Sequence, residues 1–407
     1  MPAPSCQYSL NSLNFFVAAA QTGFGPFVAV WLTRQGWDDG QIGIALSIGT
    51  GIALLGQVPG GMLVDAFPRK RPVTAIALGL LLVSALMLAV PATWPSIWGA
   101  QALHAIASVV ITPAIAAITL SICGHDGFSE RLGINARWAS VGNAAAGGLL
   151  GVVAYYSSEQ EVFVATAMLV GPALLALMMM RLPDMPTAPP PPGVAAATTG
   201  EPVRPSQIFR EPALHVFAFC AVLFHLSNAA MLPLALNALA QKTTETDFAV
   251  SATIIVPQIV VIAFAPLAGV MAQRFGRRPI LLIGFLALPA RAMLFATDPN
   301  PSMLVAIQAL DGVSATVFGL MMPLIAADLT RKTGHLNLAI GSIGLAAGIG
   351  ATISTTAAGL ISDHFGLDTA FYALAAIGFL ATAIVVLLMP ETRPGSLPQT
   401  PTAALAD

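Results

Sequence analysis

Residues 61–72 read GMLVDAFPRKRP, and residues 269–279 read GVMAQRFGRRP. Both have a glycine, three residues, a polar residue, then an aromatic and a basic cluster. The two copies lie about 208 residues apart. A second echo keeps nearly the same offset: QALHAIAS at 101–108 and QALDGVSA at 308–315. Two separate motifs at one offset, about half the chain length, point to an internal duplication.

The composition says where such a chain lives. Of its 407 residues, 56% are hydrophobic and 9% charged, against about 25% charged in a soluble domain. Mean hydropathy is +0.81. These values define an integral membrane protein. A membrane-crossing helix needs about 20 mostly apolar residues. Twelve segments meet that need, near 11–33, 42–64, 72–92, 96–121, 134–156, 161–181, 212–240, 248–272, 279–297, 301–328, 337–361 and 368–390. The expected fold is therefore all-α, with twelve transmembrane helices in two pseudo-symmetric six-helix bundles. The bundles take residues 1–181 and 211–394. A Pro/Ala/Thr-rich linker at 182–210 joins them, and a tail follows at 395–407.

Placing the N-terminus inside puts 13 of the 17 lysines and arginines in cytoplasmic loops. Arg34 and Lys242 fall outside, and Arg137 and Arg291 fall within spans, where snorkelling toward the headgroups is the expected fate. Both termini are then cytoplasmic, in a cell (inner) membrane. No basic segment precedes the first apolar run, so that run is expected to stay as a span. Three cysteines, Cys6, Cys123 and Cys220, give no disulfide or zinc pattern. No basic stripe suits nucleic acid. No GxxxxGK[ST] loop exists, so transport driven by ATP is excluded. No metal cluster, nucleophile–base set or cofactor motif suggests an enzyme.

On the two loop motifs, with MPETRP at 389–394, the chain resembles the major facilitator superfamily over essentially its whole length. Gly61, Asp65, Arg69, Lys70 and Arg71 match the loop signature, with Ala66 and Pro68 departing from it. Gly269, Arg274, Gly276, Arg277 and Arg278 match in the second half, with Gln273 in the acidic position. The resemblance implies a cavity between the halves, lined by spans 1, 4, 7 and 10, that opens alternately to each side, and a loop that latches the outward-facing state. SVGNAAAGGLLG (140–151) lacks the glycine–proline pair of drug/proton antiporters, so the likeness does not extend to that subclass.

Asp311 interrupts an apolar span about 15 Å from its outer end, at 1.5 Å per residue. A carboxyl group there must face a wet cavity, find a partner, or carry a proton. Its repeat mate is His104, and an aspartate and a histidine at matched depths can face each other across a cavity. Asp311 and His104 are therefore the proton-coupling candidates. Gln21, Gln101, Asn143, His225, Asn228, Gln258 and Gln308 are the cavity candidates, and Pro26 and Pro233 are expected to bend spans 1 and 7. Small residues four apart (Gly56/Gly60, Gly147/Gly151, Gly344/Gly348) suggest close helix contact. The expected function is a monomeric secondary transporter of a small solute, exporting it by proton antiport. Proton symport or facilitative uptake of an organic metabolite is the alternative, and a receptor or scaffold is disfavoured.

Overall fold

The computed structural model describes residues 4–24, 26–37, 39–180, 205–242, 247–297, 299–331 and 333–393. All regular structure among them is helical. Ten helices are long and apolar enough to cross a membrane. One of them, Trp94–Tyr156, covers expected spans 4 and 5, with a break at Gly124, whose φ of 63° a residue with a Cβ rarely adopts. The first span is not among the ten: it is split and carries Gln7, Asn11, Asn14 and Gln21. Counting both gives the twelve expected spans.

Spans 1 and 7 break at matched places. Span 1 divides into Pro4–Thr22 and Pro26–Arg34, and span 7 into Pro212–Asn228 and Met231–Lys242. Pro26 opens its helix, where a missing N–H costs nothing, and Pro233 lies in the first turn of its own. Most of the expected linker (182–204) and the tail (395–407) lie outside the described residues. Residues Pro205–Arg210 do not behave as linker: they form a 3-10 helix whose Ile208 is buried in the core of the second half.

The halves meet along two seams, span 2 against span 11 and span 5 against span 8. The seams repeat each other at an offset of about 208 residues. A Cβ on Gly61 would strike the Asn337 carbonyl, and one on Gly269 the Ser129 carbonyl. A Cβ on Gly341 would strike the Gln57 carbonyl, and one on Gly133 the Ala265 carbonyl. Ser129 also donates to the Gly269 carbonyl at 2.7 Å. Gly344 and Gly348 pack on Gln57 and Leu54, and Gly56 and Gly60 pack on Val109. Gly147 and Gly151 do not: a Cβ on either would meet nothing within 4 Å. The expected close contact is absent there, and open space takes its place.

Asp65 closes the first seam. The helix Leu336–Phe365 starts without a side-chain cap from its own N-cap residue, His335. Asp65, from the other half, accepts from the backbone N–H of Leu338 (2.8 Å) and Asn337 (3.2 Å) and from Asn337 Nδ2 (2.6 Å). A helix N-terminus leaves N–H groups unpaired and favours negative charge, so the carboxylate suits it twice. All these contacts lie at the end of the molecule that carries the basic loops. Asp65→Ala removes a cap worth about 0.5–2 kcal/mol. With Cys6, Cys123 and Cys220 replaced by alanine, Ala136→Cys on the inner wall should then label about 2- to 30-fold faster with a water-soluble maleimide added from the basic-loop side. An unchanged rate would remove the latch.

Candidate functional site

The second basic loop ties up its own half. Arg277, 1% exposed, donates from Nε to Asp328 Oδ2 (2.8 Å) and from Nη1 to the Ala272 carbonyl (2.8 Å) and Gln273 Oε1 (3.3 Å). Glu391, in MPETRP, accepts the backbone N–H of Arg277 (2.8 Å) and Arg278 (3.1 Å). Arg278 reaches the Val386 carbonyl, and the Arg274 carbonyl accepts from Arg393 (2.8 Å). Gln273 therefore serves Arg277 and has no counterpart to Asp65's reach across the halves. In the first loop, Lys70 caps the end of span 2, donating to the carbonyls of Val64 (2.6 Å) and Phe67 (2.7 Å). Arg71 holds the Met180 carbonyl, and Arg69 is exposed.

Asp311 is held within its own half. Its partner is Arg291, whose Nη1 lies 2.5 Å from Asp311 Oδ1. Arg291 is 1% exposed, and it also donates to Asn228 Oδ1 (2.7 Å) and Gln308 Oε1 (2.9 Å). Its guanidinium lies 5.4 Å from the centre of the Phe295 ring. Arg291 thus points into the second bundle and does not snorkel. A buried guanidinium needs a counter-charge, and Asp311, 22% exposed, is the one it has. His104 belongs to the first half, where its ring stacks on Phe24 at 4.1 Å. His225 sits edge-on to Phe318 at 4.7 Å, and its Nε2 is buried with no hydrogen-bond partner among the described residues.

Three of the expected cavity residues do meet. Gln21, Asn143 and Gln258 line a cavity of about 910 Å³ with Thr22, Phe27, Ala144, Gly147, Gly148, Gly151, Val152, Tyr155, Tyr156 and Ile255. It opens between spans 1, 5 and 8 on the side away from the basic loops. A second cavity of about 340 Å³ shares Gln21 and lies toward the basic loops, walled by Asn14, Asn135, Met322 and Ile340 among others. Gln101 and Gln308 line neither: both are buried, Gln101 beneath Gly49 and Gln308 against Arg291. Asn228 is committed to Arg291.

Two further arginines act where the sequence suggested only anchoring. Arg137 is exposed, and its Nε donates to the Ile262 carbonyl of span 8 at 3.0 Å. Pro266 explains that acceptor. It has no N–H to give the carbonyl four residues before it, so Ile262 is open to a donor from the other half. The proline spacing was the sequence signal for this bond. Arg131 is 6% exposed and donates to Asn135 Oδ1 (3.0 Å) and Asn11 Oδ1 (2.5 Å).

This architecture, two six-helix halves around a central cavity with interior charges paired, is that of a solute carrier. The Major Facilitator Superfamily model matches residues 10–227 and again 217–406, and the chain belongs to that superfamily. It is 36% identical over 398 residues to an uncharacterized MFS-type transporter of Mycobacterium tuberculosis (strain H37Rv), covering 96% of this chain and 94% of that one. The puromycin resistance protein pur8 of Streptomyces alboniger is 30% identical over 129 residues, 32% of this chain and 26% of its own. Among solved structures, the proton:xylose symporter XylE matches with a TM-score of 0.75 at 15% identity, covering 96% of both chains. The family and fold are those of membrane transporters, not of enzymes; a small-molecule substrate and a lipid bilayer go with them.

The ion pair makes a clear prediction. Removing one partner of a buried pair costs about 3–5 kcal/mol, whereas replacing both with apolar groups is often neutral. Arg291→Met and Asp311→Leu alone should each lower the melting temperature in detergent, and the double variant should recover most of the loss. Additive losses would mean that the two side chains do not depend on each other.

Proposed function

We propose that the protein is a proton-coupled secondary transporter that exports a small solute by antiport, with Asp311 as the proton-binding group. The observation that carries this is the Arg291–Asp311 pair, in which the guanidinium is buried and the carboxylate is 22% exposed. A carboxylate held by a guanidinium has two stable arrangements. Deprotonated, it neutralises Arg291. Protonated, it gives up the ion pair and leaves Arg291 to Asn228 and Gln308, which already hold it. Exchanging those partners shifts spans 7, 9 and 10 relative to one another, which is how a proton can bias the two orientations of the halves. His104, stacked on Phe24, joins this reading as a second titratable group next to the break in span 1.

The orientation follows from the lysine and arginine bias: basic loops and both termini in the cytoplasm, in a cell (inner) membrane, with the protein working as a monomer. The seams held by Asp65–Asn337 and Ser129–Gly269 then close the cytoplasmic side, and the 910 Å³ cavity faces outward. Export agrees with the resistance and efflux proteins among the partial relatives. The same pair would serve a symporter, so direction is read from the sign of coupling.

In proteoliposomes with an imposed pH gradient, Asp311→Asn should lose gradient-driven accumulation while keeping solute exchange at equal pH. The amide still accepts from Arg291, which spares much of the fold. Full coupling in Asp311→Asn would remove Asp311 from the mechanism.

A further inference from the structure

The large cavity does not stop at the centre of the molecule. A helix turns about 100° per residue. On span 5 this puts Asn143 toward the centre, with Ala144, Gly147 and Gly151 toward span 8. Val152 and Tyr156 fall on the flank of the exposed Trp138 (37%) and Leu149 (52%). All six of the first-named residues line the one cavity. The cavity therefore runs from Gln21 and Asn143, between spans 5 and 8, to the outer flank, where Val152 is 55% and Tyr156 79% exposed. On span 8 its wall is Gln258 and the half-exposed Ile255 (48%). The seam that closes spans 5 and 8 ends with the Arg137–Ile262 bond. Beyond it the wall is the bare faces of Gly147, Gly148 and Gly151, where a Cβ would meet nothing within 4 Å among the described residues.

The lining also has a chemistry. Among the described residues it contains no lysine, arginine, histidine, aspartate or glutamate. Its polar groups are three amides, a threonine and two tyrosines. Gln258 makes no hydrogen bond among the described residues. Among the described residues, Asn143 accepts from Thr22 (3.1 Å) with its Nδ2 unengaged, and Gln21 gives Nε2 to Ser108 (3.4 Å) with its Oε1 unengaged. A permanent ion would find no counter-charge among these residues. A molecule with an apolar body and neutral donors or acceptors would find apolar walls and matching amides.

We propose that the gap between spans 5 and 8 is a side portal to the bilayer, through which an uncharged amphipathic molecule exchanges between the lipid and the Gln21–Asn143–Gln258 cavity. This rests on the reading of that cavity as part of the transport path. It goes further by naming the class of solute and the route it takes. Tyr155 and Tyr156 frame the far end of the gap, at the membrane–water boundary where aromatic residues collect.

Gly148→Trp and Gly151→Trp test this in phosphatidylcholine nanodiscs, with the neutral dye Nile red as probe and tetraphenylphosphonium as the charged control. Both variants should fold, because a Cβ at either position meets nothing within 4 Å; unchanged melting temperatures check this. The expected result has two parts. Nile red binding weakens about tenfold or more, and brominated phosphatidylcholine quenches the added tryptophan beyond the wild-type level. Unchanged dye binding with quenching would mean that a lipid tail alone fills the gap, and would overturn the proposal. Weakened binding without quenching would make the cavity reachable only from water and would overturn the portal. Tetraphenylphosphonium binding as tightly as Nile red would overturn the solute class. These are equilibrium measurements without a pH gradient, so full proton coupling in Asp311→Asn would sink the antiport reading and leave this one standing.

Discussion

Inside a bilayer, a backbone or charged group that loses one partner has no water to turn to. That constraint decides where this chain places its polar contacts. Pro266 takes an N–H away from the Ile262 carbonyl, and Arg137 of the opposite half supplies one. The helix Leu336–Phe365 begins with open N–H groups, and Asp65 of the opposite half covers them. Both contacts satisfy a backbone group of one half with a side chain of the other.

The duplication supplies the scaffold, and departures from it supply the chemistry. The glycine contacts of the two seams repeat residue for residue, because two backbones can approach that closely only where one of them has no side chain at the contact. The charges do not repeat. Asp65 reaches across the halves, whereas Gln273, at the matching place, serves its own loop through Arg277. Asp311 is paired with a buried arginine, whereas its mate His104 stacks on a phenylalanine. A symmetric frame can rock between two equivalent orientations. In the antiport reading proposed above, an ionisable group on one side of it would let a proton distinguish them.

Glycine has two opposite uses here. At Gly61, Gly133, Gly269 and Gly341 it lets another backbone come close. At Gly147, Gly148 and Gly151 it leaves room with nothing in it. The spacing is the same small-residue rhythm in both cases. The difference lies in whether a neighbouring span is pressed against that face or has diverged from it beyond Arg137.

The sequence by itself determined the membrane setting, the twelve spans, the two halves and the basic end. These depend on hydropathy, length and a repeat offset, all of which are local or periodic properties of the chain. It also singled out Asp311, because a carboxylate in an apolar run stands out without any neighbour, and Gln21, Asn143 and Gln258 as polar positions within spans. Tertiary structure alone decided what each of these meets. Arg291 and Asp311 lie 20 residues apart on different helices, and Arg137 and Ile262 lie 125 apart in different halves. Periodicity tells which face of a helix a residue occupies but not which helix lies against that face. For the same reason, Gln101 and Gln308 could be read as cavity residues until packing buried them, and the glycines at 147 and 151 as contacts until the fold left them bare.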